Sequence, residues 1–506
     1  MSEQRVGKVW LVGAGPGDIG LFTRKGMEVL EQAQVVVYDS LVGQGVLSQI
    51  PEQVRKIYVG KRSANHTMPQ EQINQVLLEE AQKGFRVVRL KGGDPFLFGR
   101  GGEELELLEE HGIPFEIVPG VTSPLAVPAY NGIPVTHRDY CSSVHIITGH
   151  RRAGQEYDID FEALVRTKGT LVFLMGVAAL PDICKGLLDG GMDPSMPAAI
   201  LQQGTTAGQK RIVATVSTLP GEVERQGITP PAVIVVGQVC ALADRFAWYE
   251  RLPLAGQKIV VTRPRDLSSV MAAKLRRQGA EVLELPAIAT KPVEDLHQLE
   301  KACSHLEDFQ WIVFTSPTGV KVFFGQIQEL GVDIRRLGGM SVAALGEGTA
   351  KELKKRGIFP DLMPEVFEGE ALGHALAKEA SAGEHIFIPR ASKGNPRLVE
   401  ILEEADLVVE EVHTYDTIYE AQDVIDLNNE FENGTIDCAV FTSSSSVRGF
   451  SKSLPELDLS KVRAACIGRQ TRAAADKLGM QTYMADRATI DSVIELVCRM
   501  AREGGE

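Results

Sequence analysis

Paired cysteines are missing from this chain. The seven cysteines, Cys141, Cys184, Cys240, Cys303, Cys438, Cys466 and Cys498, stand singly, with no C-x-x-C pair and no histidine nearby at zinc-ligand spacing. This pattern excludes a disulfide scaffold and a zinc module, and nothing else in the sequence suggests a metal. Long apolar runs are also lacking, none approaching the ~20 residues of a membrane span. The first residues carry neither the apolar core nor the small-residue cleavage site of a secretory signal, so a cytoplasmic protein with reduced thiols is expected. Positive charge is in deficit, the formal net charge being -14. That argues against a nucleic-acid or acidic-membrane partner, although a local basic cluster can still hold an anion inside an acidic protein.

What is present is enough apolar material for several cores: 506 residues, 44% hydrophobic and 24% charged. Single cores stop growing at roughly 250 to 300 residues, so more than one domain is expected. Apolar runs alternate with amphipathic helical stretches throughout, among them KVWLVGAG, VVVYD, FRVVRLKGG, TLVFLM and AVIVVG, then KIVVTRP, WIVFTSP, SVAALG, HIFIPR, DCAVFTS and RAACIG. This pattern predicts an α/β class with parallel sheets covered by helices on both faces. The clearest boundary falls at Trp248 to Gln257, with no long flexible linker. The second half holds a faint repeat: Phe314-Thr-Ser-Pro-Thr-Gly-Val320 returns as Phe441-Thr-Ser-Ser-Ser-Ser-Val447, and Leu345-Gly-Glu-Gly-Thr-Ala350 as Ile467-Gly-Arg-Gln-Thr-Arg472. A repeat of this length implies two similar lobes rather than a solenoid, expected to face each other across a cleft.

Gly13-Ala-Gly-Pro-Gly-Asp18 follows a strand and precedes a helical stretch, and Asp39 ends the next strand, so a dinucleotide fingerprint is the first reading to weigh. Two details oppose it: the third glycine comes one residue early, and Pro16 removes an N–H that a pyrophosphate would need. The stretch Val88-Arg-Leu-Lys-Gly-Gly-Asp-Pro-Phe-Leu-Phe-Gly-Arg-Gly-Gly-Glu-Glu104 speaks more specifically. With Val118-Pro-Gly-Val-Thr-Ser123, Gly132-Ile-Pro-Val-Thr-His-Arg138, Gly60-Lys61-Arg62, Met175-Gly176 and Gln203-Gly204-Thr205, it closely resembles the tetrapyrrole C-methyltransferase family, in its uroporphyrinogen-III branch, over about residues 6 to 250. The resemblance implies two α/β subdomains with S-adenosylmethionine between them, converted to S-adenosylhomocysteine. It places Pro16, Gly92, Gly93, Asp94, Leu97, Thr122, Ser123, Met175 and Gly204 at cofactor-contacting positions, Asp39 at that of a proton acceptor and Lys61 at that of a proton donor. The family commonly has alanine where Ser123 stands. Arg62, Arg89, Lys91, Arg100, His137 and Arg138 are available to meet substrate carboxylates through charge-assisted hydrogen bonds, while the plain alternative for each is a surface charge.

In the second half, Val260-Val-Thr-Arg-Pro264, Val313-Phe-Thr-Ser-Pro-Thr-Gly-Val320, Ala344-Leu-Gly-Glu-Gly-Thr-Ala350, Tyr415-Asp-Thr417, Val440-Phe-Thr-Ser443 and Ile467-Gly-Arg-Gln-Thr471 resemble the uroporphyrinogen-III synthase family over about residues 255 to 500. The resemblance implies closure of hydroxymethylbilane with inversion of ring D, Tyr415 assisting loss of the hydroxyl. Thr262, Arg263, Ser316, Thr349, Ser443 and Thr471 would bind substrate. Their plain alternative is capping of the helices that follow. It further implies one lobe of 257–289 with 420–506 and another of 290–419.

The expectation is therefore a fusion, residues 1–250 methylating what residues 255–506 make, giving precorrin-2 by methylation at C2 and C7. Its partners are small tetrapyrroles, with no nucleic acid, no membrane and a homodimer through the first half. Two readings stand beside it: a later corrinoid precursor as the methyl acceptor, and an inactive ligand-binding C-terminal module.

Overall fold

The computed structural model describes every residue except 1–5, 52, 61–67, 150–158, 263–264, 286–288, 393, 395, 419–424 and 504–506. The chain divides into two units, residues 1–285 with 422–506 and residues 286–421.

The first unit opens with β1 (Lys8–Gly13), β2 (Val35–Tyr38), β3 (Arg55–Tyr58), β4 (Arg86–Lys91) and β5 (Phe115–Val118), ordered β3-β2-β4-β1-β5. All four pairings are parallel. The strands read as continuous apolar runs because both faces are covered: Val9, Leu11, Val35 and Val37 join one core, Val12, Val36, Val88 and Leu90 the other.

The second sheet contains β6 (Val144–Thr148), β7 (Thr170–Leu174), β8 (Pro197–Gln202), β9 (Lys210–Thr215) and β10 (Ala232–Val236), ordered β6-β7-β10-β8-β9. Here the expectation of parallel sheets fails. Only β6 and β7 are parallel, whereas β7–β10, β10–β8 and β8–β9 are antiparallel. Double-sided burial explains the error, since Leu171 and Phe173 enter one core while Val172 and Leu174 enter another. An apolar run reports burial of both faces and carries no record of strand direction.

The first unit is completed by a parallel sheet of β11 (Lys258–Thr262) and β12 (Glu281–Leu285) with three late strands. Before those, the second unit supplies β13 (Ala289–Pro292), β14 (Trp311–Phe314), β15 (Ser341–Ala344), β16 (His385–Ala391) and β17 (Val408–Ile418), ordered β13-β17-β16-β14-β15. All its pairings are parallel except β13–β17. The late strands are β18 (Cys438–Phe441), β19 (Arg463–Cys466) and β20 (Gln481–Met484), giving the order β12-β11-β18-β19-β20. The amphipathic helix Ile490–Glu503 closes this sheet, burying Val493, Leu496, Val497 and Met500, the i, i+3, i+4, i+7 stripe of a helix packed on one side.

The segment Trp248–Gln257 is packed within the first unit. Trp248, Tyr249 and Tyr130 form an aromatic cluster with ring centroids 5.1–5.7 Å apart. The Tyr249 hydroxyl donates to Gly279 O at 3.0 Å, and burial pushes its phenol up to about 12. Among the described residues, no helix is long and apolar enough to cross a membrane.

In the second unit, Phe323 is fully buried against Phe314, Phe324 and Phe387 at centroid distances of 5.5, 5.2 and 5.8 Å. Phe323→Ala is expected to cost ~3–5 kcal/mol, read as a lower denaturant midpoint in chemical unfolding.

Candidate active sites

In the N-terminal half the loops after β1, β4 and β5 meet where no side chain fits. A Cβ on Gly120 would lie 2.2 Å from Gly93 O and 2.7 Å from Gly13 Cα, and one on Gly13 would lie 2.5 Å from Gly120 N. Gly15 and Gly93 exchange backbone hydrogen bonds of 3.2 and 2.7 Å. Gly93 has φ +65° with only Ser123 N within 4 Å of an added Cβ, so the missing side chain leaves open space above the strand ends. Asp94 pins the junction, its Oδ2 accepting from Gly120 N at 3.0 Å and its Oδ1 from Phe96 N at 2.9 Å. Pro16, Gly92, Leu97 and Thr122 are half-buried in these loops, and Ser123 opens the helix Ser123–Tyr130.

The second sheet brings Met175 and Gly204 on the turns after β7 and β8. Asp18 N donates to Thr205 Oγ1 at 3.1 Å, tying the first glycine loop to the turn after β8. The Tyr130 hydroxyl donates to Asp18 Oδ2 at 2.7 Å, and burial beside that carboxylate raises the phenol's pKa. The sequence motifs included Asp18 and Thr205 but did not connect them, and Tyr130 carried no signal. Among the described residues, Phe98, Arg100, Met175, Gln203 and Thr205 are five of the seven non-glycine residues with left-handed backbone. Such strain costs of order 1–3 kcal/mol per residue and gathers at functional loops. Met175 is 53% exposed there.

Asp39 follows β2 and lines a cavity with Tyr38, Gln44, Tyr58, Asp426, Asn429 and Glu430. Its Oδ1 accepts from Leu41 N at 3.0 Å and its Oδ2 from Arg89 Nη2 at 2.9 Å. Arg89 and Lys91 do not face a substrate as expected. They lie on β4, 2% and 5% exposed, paired with Asp39 and the fully buried Glu104. The physical reason is strand position: β4 lies between β2 and β1, and its side chains enter the interior. Arg100 and Arg138 are exposed on loops, Arg100 holding Glu103 through Nε at 2.8 Å. His137 is half-buried and packs on Tyr140 at a centroid distance of 4.8 Å. Lys61 and Arg62 lie outside the described residues, as does Arg263.

In the C-terminal half the repeat has a common geometry. Ser316 and Ser443 have extended backbones (φ -157° and -162°), and their hydroxyls accept from Gly319 N at 2.8 Å and Ser446 N at 3.1 Å as helix caps. Gly346 and Gly468 start the second helix of each copy at φ -171° and -170°. Capping thus claims hydroxyls expected to hold substrate. Thr262 is fully buried and donates to Val440 O at 2.9 Å, while Thr349 and Thr471 are 3% and 4% exposed. These three threonines face the interior, because Thr262 is the inward last residue of a strand and the others sit on the buried faces of short helices. Tyr415 is different: its hydroxyl lies 2.9 Å from Ser316 Oγ in the second unit. Burial raises the Tyr415 phenol, with the Ser316 hydrogen bond pulling the other way. Among the described residues, no group of three or more His, Cys, Asp or Glu side chains is arranged to hold a metal ion.

The family model for Tetrapyrrole (Corrin/Porphyrin) Methylases matches residues 8–220, and that for Uroporphyrinogen-III synthase HemD matches residues 269–495. The Porphyrin biosynthesis protein HemD of Ruminiclostridium josui is 44% identical over 97% of both chains. The chain belongs to the family that joins a tetrapyrrole methylase to a uroporphyrinogen-III synthase. The Uroporphyrinogen-III C-methyltransferase of Bacillus subtilis is 41% identical over 70% of this chain and 72% of its own. The Siroheme synthase of Azotobacter vinelandii is 49% identical over 49% of this chain and 53% of its own, so the chain spans about half the length of that relative. A crystal structure of uroporphyrin-III C-methyl transferase from Thermus thermophilus complexed with S-adenyl homocysteine is 42% identical, with TM-score 0.41, covering 46% of this chain and 99% of that one. A mutant uroporphyrinogen III synthase from the same organism is 19% identical, with TM-score 0.39, over 49% and 99%.

Two alanine replacements separate the tight junction of the methylase half from its open surface. Gly120→Ala forces the three loops apart and is expected to lower stability by ~1–3 kcal/mol. Gly102→Ala, on the helix Gly101–Glu110 with nothing within 4 Å of the new Cβ, is expected to be neutral or slightly stabilising. Thermal unfolding of both variants checks the contrast.

Proposed function

We propose that the methylase half transfers methyl groups from S-adenosylmethionine to C2 and C7 of uroporphyrinogen III, releasing S-adenosylhomocysteine and giving precorrin-2. The observation that carries this is the side-chain-free junction of Gly13, Gly93 and Gly120, where the missing side chain of Gly93 leaves open space above the strand ends. Pro16, Gly92, Gly93, Asp94, Leu97, Thr122, Ser123, Met175 and Gly204 hold the cofactor in this reading. Bound S-adenosylmethionine supplies an electrophilic methyl group. The chain's own part is to hold the pyrrole in line and take the ring proton, with Asp39 as acceptor and Lys61 as donor. Arg62, Arg100 and Arg138 meet substrate carboxylates.

In the same reading residues 255–506 cyclise hydroxymethylbilane with inversion of ring D, in lobes of 257–289 with 420–506 and of 290–419. Tyr415 donates a proton to the departing hydroxyl, supported by its contact with Ser316 and by burial that keeps its phenol protonated. Thr262, Arg263, Ser316, Thr349, Ser443 and Thr471 shape the bilane site, the buried threonines by supporting its turns. No metal takes part, and the enzyme is a cytoplasmic homodimer through its methylase half, serving sirohaem or cobalamin formation.

An anaerobic assay with hydroxymethylbilane and S-adenosylmethionine is expected to yield precorrin-2 without added uroporphyrinogen III. Product only when uroporphyrinogen III is added would reduce the C-terminal half to a ligand-binding module. Asp39→Asn is expected to lower methyl transfer by roughly 10²-fold or more while leaving cyclisation intact. Tyr415→Phe should slow cyclisation by on the order of tenfold or more and spare methylation. Because burial raises the phenol above its ordinary value, the Tyr415 proton is retained as pH rises, so wild-type cyclisation should show no tyrosine-dependent fall below roughly pH 10. A pH–rate profile of the synthase step checks this.

A further inference from the structure

Asp39 is one of four charges that meet here, with Arg89, Lys91 and Glu104 behind it. Arg89 Nη2 donates to Asp39 Oδ2 at 2.9 Å, and Arg89 Nε reaches Glu104 Oε1 at 3.4 Å. Lys91 Nζ and Gln70 Nε2 donate to the same Glu104 oxygen at 2.7 and 3.1 Å. Arg89 is 2%, Lys91 5% and Glu104 0% exposed, whereas the Asp39 side chain keeps 22% and lines the cavity. Two cations balance two carboxylates, the condition under which charges tolerate burial. Glu104 Oε2 is buried with no hydrogen-bond partner, so the cluster is not optimised for stability alone. Apolar residues of similar volume often stabilise an interior at least as well as a buried ion cluster. Of the four groups, Asp39 is the one that reaches the cavity.

We propose that Arg89, gripped from behind by Glu104, is a positioning residue that fixes the Asp39 carboxylate toward the methyl acceptor. This rests on Asp39 being the proton acceptor and adds what aims it. Leu41 N–H holds Oδ1 and the guanidinium holds Oδ2, so neither oxygen rotates away. Other charged or polar groups near Asp39 are Lys91 from β4, and Tyr58, Asp426 and Glu430, which line the same cavity. Gln44 Nε2 and Lys258 Nζ donate to Glu430 at 2.9 and 2.8 Å.

The test uses the full-length enzyme, methylating supplied uroporphyrinogen III, with cyclisation measured in the same samples as the folding control. Arg89→Gln is expected to lower kcat by on the order of tenfold to hundredfold with little change in KM. Glu104→Gln loosens the hold on Arg89 from behind and is expected to lower kcat less than Arg89→Gln, again with little change in KM. Arg89→Lys keeps the charge without the fork, and should recover part of the lost kcat. A kcat loss with KM and cyclisation unchanged, partly rescued by Arg89→Lys, supports the positioning role. An unchanged kcat in Arg89→Gln, a parallel loss of cyclisation, or a KM effect alone would overturn it. Should Asp39→Asn methylate at the wild-type rate, the reading beneath would fall, and that result is distinct from any outcome of the Arg89 and Glu104 variants.

Discussion

The contact on which the methylase half depends is backbone against backbone, where the ends of β1, β4 and β5 converge at Gly13, Gly93 and Gly120. Two of these glycines approach so closely that a single methyl group would enter the neighbouring peptide. Everything around the junction serves this closeness. Asp94 donates no proton there, but its carboxylate gathers two amides from separate loops. The hydrogen bond from Asp18 to Thr205 ties the junction to the turn after β8. Phe98, Arg100, Met175, Gln203 and Thr205 keep left-handed backbones in the loops after β4, β7 and β8.

The two halves hold polar groups by different means. In the methylase half, a balanced cluster of buried charges lies behind Asp39, and its pairing leaves Asp39 as the member that reaches the cavity. In the synthase half, polar side chains at strand ends are mostly consumed by local structure, Ser316 and Ser443 capping helices and Thr262 bonding a neighbouring strand. Tyr415 is the exception, a buried phenol whose hydroxyl touches a capping serine. A reaction that chiefly folds a flexible bilane and eases departure of water asks for shape and a proton donor more than for a charge array.

Much of the fold was legible because strands buried on both faces leave continuous apolar runs. The strands that escaped notice are largely edge strands, such as β3, β5, β6, β9 and β20, whose half-exposed residues dilute that signal. Strand direction was not legible, and the antiparallel pairings of β7, β10, β8 and β9 show why: burial is indifferent to polarity. At the site, the glycine motifs stood out because backbone approach leaves a compositional trace. Arg89 and Lys91 misled because a basic residue in a motif reads alike whether it faces ligand or interior, and Glu104 lay inside a quoted motif without any assigned part.

By itself the sequence determined the α/β class and the order of two enzyme modules, since each rests on short-range periodicity or on motifs a few residues long. Tertiary structure alone decided which charges are buried, which hydroxyls are spent on caps and how Asp18 meets Thr205 across 187 positions. Those outcomes depend on desolvation and on contacts between distant segments, and neither is encoded in the spacing of neighbouring residues.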